Sequence, residues 1–155
     1  MIILKIWISH FYNVRFLNTN QIPISTALFD PKWYQPKTTS SNFFVDNRGV
    51  INGLRASAFA MKHSDNLCRN CNKDISKCSF IPQYNAYLHS LDFAKTMQHL
   101  EAIATKAAEI LNVNDPEIVL LVHEAPTNPC SERASIVDWF QEYGVHVEEY
   151  QKPKS

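Results

Sequence analysis

The sequence has no surplus of charge of either sign. It holds 15 Lys and Arg against 15 Asp and Glu, a formal net charge of zero. Broad electrostatic capture of nucleic acid is therefore not expected, although a local basic patch is compatible with the composition. A long hydrophobic run is also missing. The apolar opening, Met1 to Ile8, falls far below the roughly 20 residues of a spanning helix. It lacks the basic start and small-residue cleavage site of a secretory signal, so the expectation is a cytoplasmic chain whose four cysteines are reduced thiols or metal ligands rather than disulfides. No internal repeat is visible. What is present, at 155 residues with 45% hydrophobic and 19% charged residues, suits a single domain with a real core.

Ile2 to Ile8 reads as a buried strand with Ser9, His10, Phe11 and Tyr12 at its end, and Ile22 to Ser25 as a second. Asp30 to Pro36 is an aromatic loop set by two prolines, and Thr38 to Asn42 a polar surface loop. Phe43 to Val45, the turn residues Asp46 to Gly49, and Val50 to Gly53 predict a hairpin or loop insertion. A cysteine-bearing loop covers Leu67 to Phe80, so an insertion spans about 43–81.

From Pro82 the pattern turns helical, with Tyr84, Tyr87, Leu88 and Leu91 on one face. A longer helix is predicted from about Asp92 to Leu111, because Phe93, Met97, Leu100, Ala104, Ala107 and Leu111 form one apolar stripe. Asn112 to Pro116 stop it. Ile118 to Val122 is apolar without alternation, as a central parallel strand covered on both faces should be. A last helix is expected from Ser131 to Tyr143, with Ile136, Val137, Phe140 and Tyr143 inward and Gly144 as its cap. Val145 to Glu149 alternates as a closing strand. Helix, apolar strand, helix, strand is the order of a crossover unit on a parallel sheet.

Three strand ends, at Ser9-His10, Ser25-Thr26 and His123-Glu124, share one rim if the strands are parallel, and ligands bind in such crevices. Cys130 near a helix N-terminus would have its thiolate favoured by the helix dipole, and Arg133 adds a positive charge, while Glu132 and Glu124 oppose it. Two residues between Cys and Arg are too few for the anion-cradling loop of a tyrosine phosphatase or rhodanese. The readings open for Cys130 are a semi-buried residue beside the helix cap, with Ser131 or Glu132 capping; a nucleophile; a rim for an anion; or a metal ligand.

His63, Cys68, Cys71 and Cys78 form the second constellation. Cys68-x2-Cys71 is the spacing that turns two thiolates towards one zinc ion, with Cys78 and either His63 or Cys130 completing a tetrahedron. No glycine flanks the pair, and a loop with incidental thiols is the alternative. Zinc would staple the insertion rather than catalyse. His89 and His99 are expected on helix surfaces, and His123 is read either as a ligand contact or as a loop hydrogen-bonding residue. Trp33 and Tyr34 with Phe11 and Tyr12 either stack a base or pack the loop. Arg48 and Arg55 are weak candidates for phosphate contacts.

Three stretches together resemble the bacterial, archaeal and phage family known as domain of unknown function 488. They are Ile8-Ser9-His10-Phe11 with Ile22 to Ser25 and Pro31 to Tyr34; Tyr84 to Leu100; and Val119 to Pro126 with Pro129-Cys130-Ser131-Glu132-Arg133 and Asp138 to Phe140. They cover about two thirds of the chain. Glu124 and Cys130 match the family's strand, Glu-containing turn and Cys-His-Arg helix start; Arg133 matches with one residue inserted, and Ser131 and Glu132 stand in place of the histidine. The resemblance implies a Rossmann-like three-layer α/β sandwich with a mainly parallel sheet, and no established reaction.

Two functions follow as expectations. In the first, the crevice binds a nucleotide, nucleoside or other anionic small molecule. Glu124 is then acid/base or ribose-binding, Cys130 a nucleophile and Arg133 the anion contact, with Ser9, His10, Tyr12, His123 and Ser131 as further ligand contacts. In the second, the chain is a non-catalytic interaction module, phage or mobile-element encoded, with a zinc-stapled loop as its binding surface.

Overall fold

The computed structural model describes residues 4–18, 20–26, 37–38, 44–45, 51–52, 80–122 and 132–151. In chain order the elements are β1 (Lys5–His10), a 3-10 helix (Phe11–Phe16), β2 (Gln21–Ser25), β3 (Lys37–Thr38), β4 (Phe44–Val45), β5 (Ile51–Asn52), α1 (Phe80–His89), α2 (Phe93–Leu111), β6 (Glu117–Val122), α3 (Glu132–Glu142) and β7 (Val147–Glu149). Four strands form a parallel sheet in the order β2-β6-β1-β7. The chain is thus an α/β protein with a four-strand, all-parallel sheet.

Alternation along the strands divides the core in two. Ile6 and Ile8 of β1, Ile22 and Ile24 of β2, and Ile118, Leu120 and Val122 of β6 face α1, α2 and α3. Val119 and Leu121 of β6 face the other way, against Phe11, Val14 and Leu17 of the 3-10 helix segment and Tyr150. The unbroken apolar run of β6 is explained by this two-sided cover, since each of Ile118 to Val122 is fully buried. Burying one such aliphatic side chain contributes about 1.5–3 kcal/mol.

The long helix forms where its stripe and end signals put it. Asp92 caps it by accepting from the Lys95 backbone N–H at 3.1 Å, and Asn112 ends it in the left-handed region at φ 56°. Leu100, Ile103, Ala104 and Ala107 form its buried face. Tyr84 and Leu88 anchor α1 to the same core.

Helix α3 ends at Gly144, whose φ of +75° only glycine adopts without strain. Gly144 N–H donates to the Gln141 carbonyl at 2.9 Å and Val145 N–H to the Phe140 carbonyl at 3.0 Å, the paired bonds of a Schellman cap. The inward face of α3 differs from expectation. Trp139 is buried with Ile136 and Phe140, whereas Tyr143 is 56% exposed. The Trp139 indole fills the space under the helix, and Tyr143 instead stacks flat on Phe93, with centroids 4.1 Å apart.

Two further boundaries shift. β1 runs on through Ser9 and His10, because pairing with β6 continues to His10↔Val122. Thr38, read from sequence as the start of a surface loop, ends the strand Lys37–Thr38 in a three-stranded antiparallel sheet of order β3-β4-β5. Its β4–β5 hairpin, with Val45 opposite Ile51, is the one the turn residues predict, and β5 lies against β2 and α2. The aromatic loop at 30–36 and the cysteine-bearing loop up to Ser79 lie outside the described residues.

The connections have one hand. The 3-10 helix carries the chain from β1 to β2 over one face, and α3 carries it from β6 to β7 over the opposite face and in the opposite direction. Opposite direction over opposite face conserves handedness, as the crossover rule requires.

Candidate functional site

Every strand of the main sheet ends on the same rim, since all four are parallel. β1 and β6 are neighbours there, and the chain leaves them towards opposite faces. A crevice between two adjacent strands whose connections diverge is the switch point at which open α/β sheets bind ligands. On the helical face it is bordered by His10 of β1, Val122 of β6 and the first turn of α3.

On the helical face the rim is polar. His10 follows Ile6 and Ile8 by the strand period of two, and Glu149 follows Val147 likewise, so both stand on the side of α3. Arg133, in the first turn of α3, reaches Glu149 with 2.6 Å between Nε and Oε1. The pair is well covered, with side-chain exposures of 11% for Arg133 and 26% for Glu149. Burial pushes the Glu149 carboxyl above its ordinary range, and the Arg133 guanidinium pulls it back only in part. His10 is half-buried and held below the usual imidazole value, by burial first and by the Arg133 charge second. Among the described residues, two atoms of this cluster find no partner: His10 Nδ1 and Glu149 Oε2. Buried polar atoms of that kind are uncommon in finished cores.

Tyr12 stands beside His10. The two rings are close to parallel, with centroids 6.3 Å apart, and Tyr12 is 51% exposed. Tyr84 of α1 lies near the start of α3. Its phenol is raised well above the ordinary value by burial, with the Glu132 carboxylate adding to the effect, so it stays neutral.

On the opposite face the rim is closed. Ser9 is fully buried; its Oγ donates to the Tyr150 carbonyl at 3.1 Å and accepts from Asn13 Nδ2 at 2.9 Å. Tyr150 N–H donates to the Ile8 carbonyl at 2.8 Å, and its hydroxyl donates to the Phe16 carbonyl at 2.9 Å. At the end of β2, both the backbone N–H and the hydroxyl of Thr26 donate to the Leu121 carbonyl, at 3.1 and 2.8 Å.

Of the residues singled out from sequence, the structure brings His10, Tyr12 and Arg133 to the crevice and seats Ser9 on the far side of the sheet. Glu124, Cys130, His123 and Ser131 lie outside the described residues, as do His63, Cys68, Cys71, Cys78, Trp33, Tyr34, Arg48 and Arg55. Among the described residues, no three His, Cys, Asp or Glu side chains are grouped to hold a metal ion, and no helix is long and apolar enough to cross a membrane. His99 is exposed, while His89, also exposed, ties α1 to α3 through Glu142 at 2.9 Å.

Sequence reasoning missed Glu149, Asn13 and Tyr150. For Glu149 the sequence shows a carboxylate ending an alternating strand, but not the pairing with β1 that brings it to the rim. For Asn13 there was no signal, because nothing in Phe11 to Phe16 announces a 3-10 helix. No family model, curated protein or solved structure matches the chain.

Proposed function

We propose that the chain binds a nucleotide, a nucleoside or another small anionic molecule in the crevice between the carboxyl ends of β1 and β6, around Glu124, Cys130 and Arg133. The observation that carries this reading is the switch point, where neighbouring strands send their connections to opposite faces. Three of the residues that sequence chemistry selected support it: His10 ends β1, Tyr12 follows in the 3-10 helix and Arg133 lies in the first turn of α3, while Glu124 and Cys130 belong in sequence to the stretch joining β6 to α3. The finer architecture that accompanies the reading is a Rossmann-like sandwich with a cysteine-rich insertion, in the manner of domain of unknown function 488. The division of the connections between both faces of the sheet supports it.

The test is thermal unfolding of the full chain against a panel of ribonucleosides and their mono- and diphosphates. A specific ligand at 100 times its Kd stabilises the folded chain by about 2.7 kcal/mol. For a domain of this size that raises the midpoint by roughly 5–10 °C. Glu124→Gln and Cys130→Ser are expected to reduce the rise. A panel without any shift removes the reading.

A further inference from the structure

The charge at the crevice points to one part of that ligand class. Among the described side chains at the rim, Arg133 is the one cation, and Glu149 already neutralises it at 2.6 Å. Glu132 adds a carboxylate in the first turn of α3, where the helix dipole would otherwise favour an incoming anion. The stretch from His123 to Ser131 brings Glu124 and neither Lys nor Arg. A phosphate entering here would share one engaged guanidinium and face two described carboxylates, Glu149 and Glu132. Binding a desolvated anion requires closer compensation than that.

What the rim does offer suits a different group. Among the described residues, Glu149 Oε2 is a buried acceptor without a donor, and His10 Nδ1 is a buried ring nitrogen without a partner. Both stand on the helical face, with the Arg133 side chain bonded to Glu149. A hydroxyl group is donor and acceptor at once and complements either atom. Beside them, Tyr12 lies parallel to His10 with half its surface exposed, a platform for a flat ring.

We propose that the His10–Arg133–Glu149 side of the crevice takes an uncharged, hydroxyl-bearing ring compound of the ribonucleoside kind, not a phosphorylated one. The proposal rests on the ligand-site reading above and narrows it. Arg133 then orients Glu149 rather than gripping a phosphate.

Calorimetric titration of the full chain with adenosine, guanosine, cytidine and uridine, and with their 5′-monophosphates, decides the matter. The expected result is that at least one nucleoside binds and its monophosphate binds at least about tenfold more weakly. Glu149→Gln should weaken nucleoside binding by about tenfold, the usual scale for a lost charge-assisted hydrogen bond. Because that variant disturbs a covered ion pair, Tyr12→Ala provides a second readout on an exposed residue, with a loss of about tenfold from stacking. A monophosphate that binds as tightly as its nucleoside, or more tightly, overturns the inference and leaves the ligand-site reading standing. Nucleoside binding that Tyr12→Ala leaves unchanged also overturns the inference. If neither set binds, the ligand-site reading falls, and the inference with it.

Discussion

Ser9 and His10 are neighbours in sequence and face opposite sides of one sheet, and their surroundings differ in kind. Around Ser9 every polar group described is paired: hydroxyl to the Tyr150 carbonyl, Asn13 to hydroxyl, Tyr150 to Phe16. Around His10 a covered ion pair sits beside two buried atoms, His10 Nδ1 and Glu149 Oε2, that no described group satisfies. A closed network fixes the path of the chain, here the turn from β1 into the 3-10 helix and the docking of the C-terminal segment. An incompletely satisfied cluster contributes less to folding than it costs in desolvation, and such clusters mark sites that meet something else. The strand period of two thus separates a fully paired side from an incompletely paired one within a single dipeptide.

The largest expected effect comes from cutting the helical-face cluster in half. Glu149→Ala removes the carboxylate bonded to the covered Arg133 charge, which should cost about 2–3 kcal/mol, since Glu149 retains some exposure and the full penalty of a broken buried pair is higher. Urea unfolding measures it. Adding Arg133→Met to Glu149→Ala should recover most of the loss, because the apolar replacement has no charge to solvate. If the double variant is less stable than Glu149→Ala alone, the pair is a structural clamp and the contrast between the two faces disappears.

A smaller effect separates the adjacent residues directly. Ser9→Ala strands Asn13 Nδ2 and the Tyr150 carbonyl and should cost about 1–2 kcal/mol. His10→Leu removes a ring nitrogen that had no partner and should stay within about 0.5 kcal/mol of the parent. The same urea experiment reads both. The reverse ranking would assign the structural role to His10 and the unfinished side to Ser9.

Much of this arrangement was legible in the sequence, for identifiable reasons. β6 and α2 announce themselves because an unbroken apolar run and a stripe of about five turns each leave few alternatives, and Asp92 and Asn112 bracket α2 with recognisable end chemistry. The rim was legible as soon as β1, β2 and β6 were taken to be parallel. Two things were not. Nothing local says that β7 docks beside β1, a pairing across more than 130 residues, so the Glu149 partner of Arg133 stayed hidden. The 3-10 helix has no side-chain cap and no acidic first turn, so Phe11 to Phe16 gave no sign of the segment that closes over Ser9. Tyr143 misled because spacing alone does not say which of two adjacent aromatic residues, Trp139 or Tyr143, takes the interior position.

The smallest effect is a pH signature that sets His10 against His89. His10 titrates below the ordinary 6.5 because burial, and then Arg133, disfavour its cation in the folded chain. Below pH 6.5 the unfolded chain therefore binds a proton that the folded one resists. Its neutral form supports folding fully above 6.5, and that support is lost as pH falls through the folded value. His89 is the opposite case. Its Nδ1 donates to the Asn85 carbonyl at 2.7 Å and its Nε2 to the Glu142 carboxylate at 2.9 Å, so the backbone bond first and Glu142 second raise it above 6.5. Its support is complete below 6.5 and disappears as pH rises through the folded value. Stability of the parent relative to His10→Leu should therefore increase from pH 5 to 7, and relative to His89→Gln it should decrease from pH 6.5 to 8. Salt should flatten the second curve more than the first, because the His89–Glu142 bridge is exposed and His10 is half covered. Two curves of the same sign would mean that His10 is charged in the folded chain. The cluster at the rim would then carry a second cation, and a phosphate would no longer be disfavoured there.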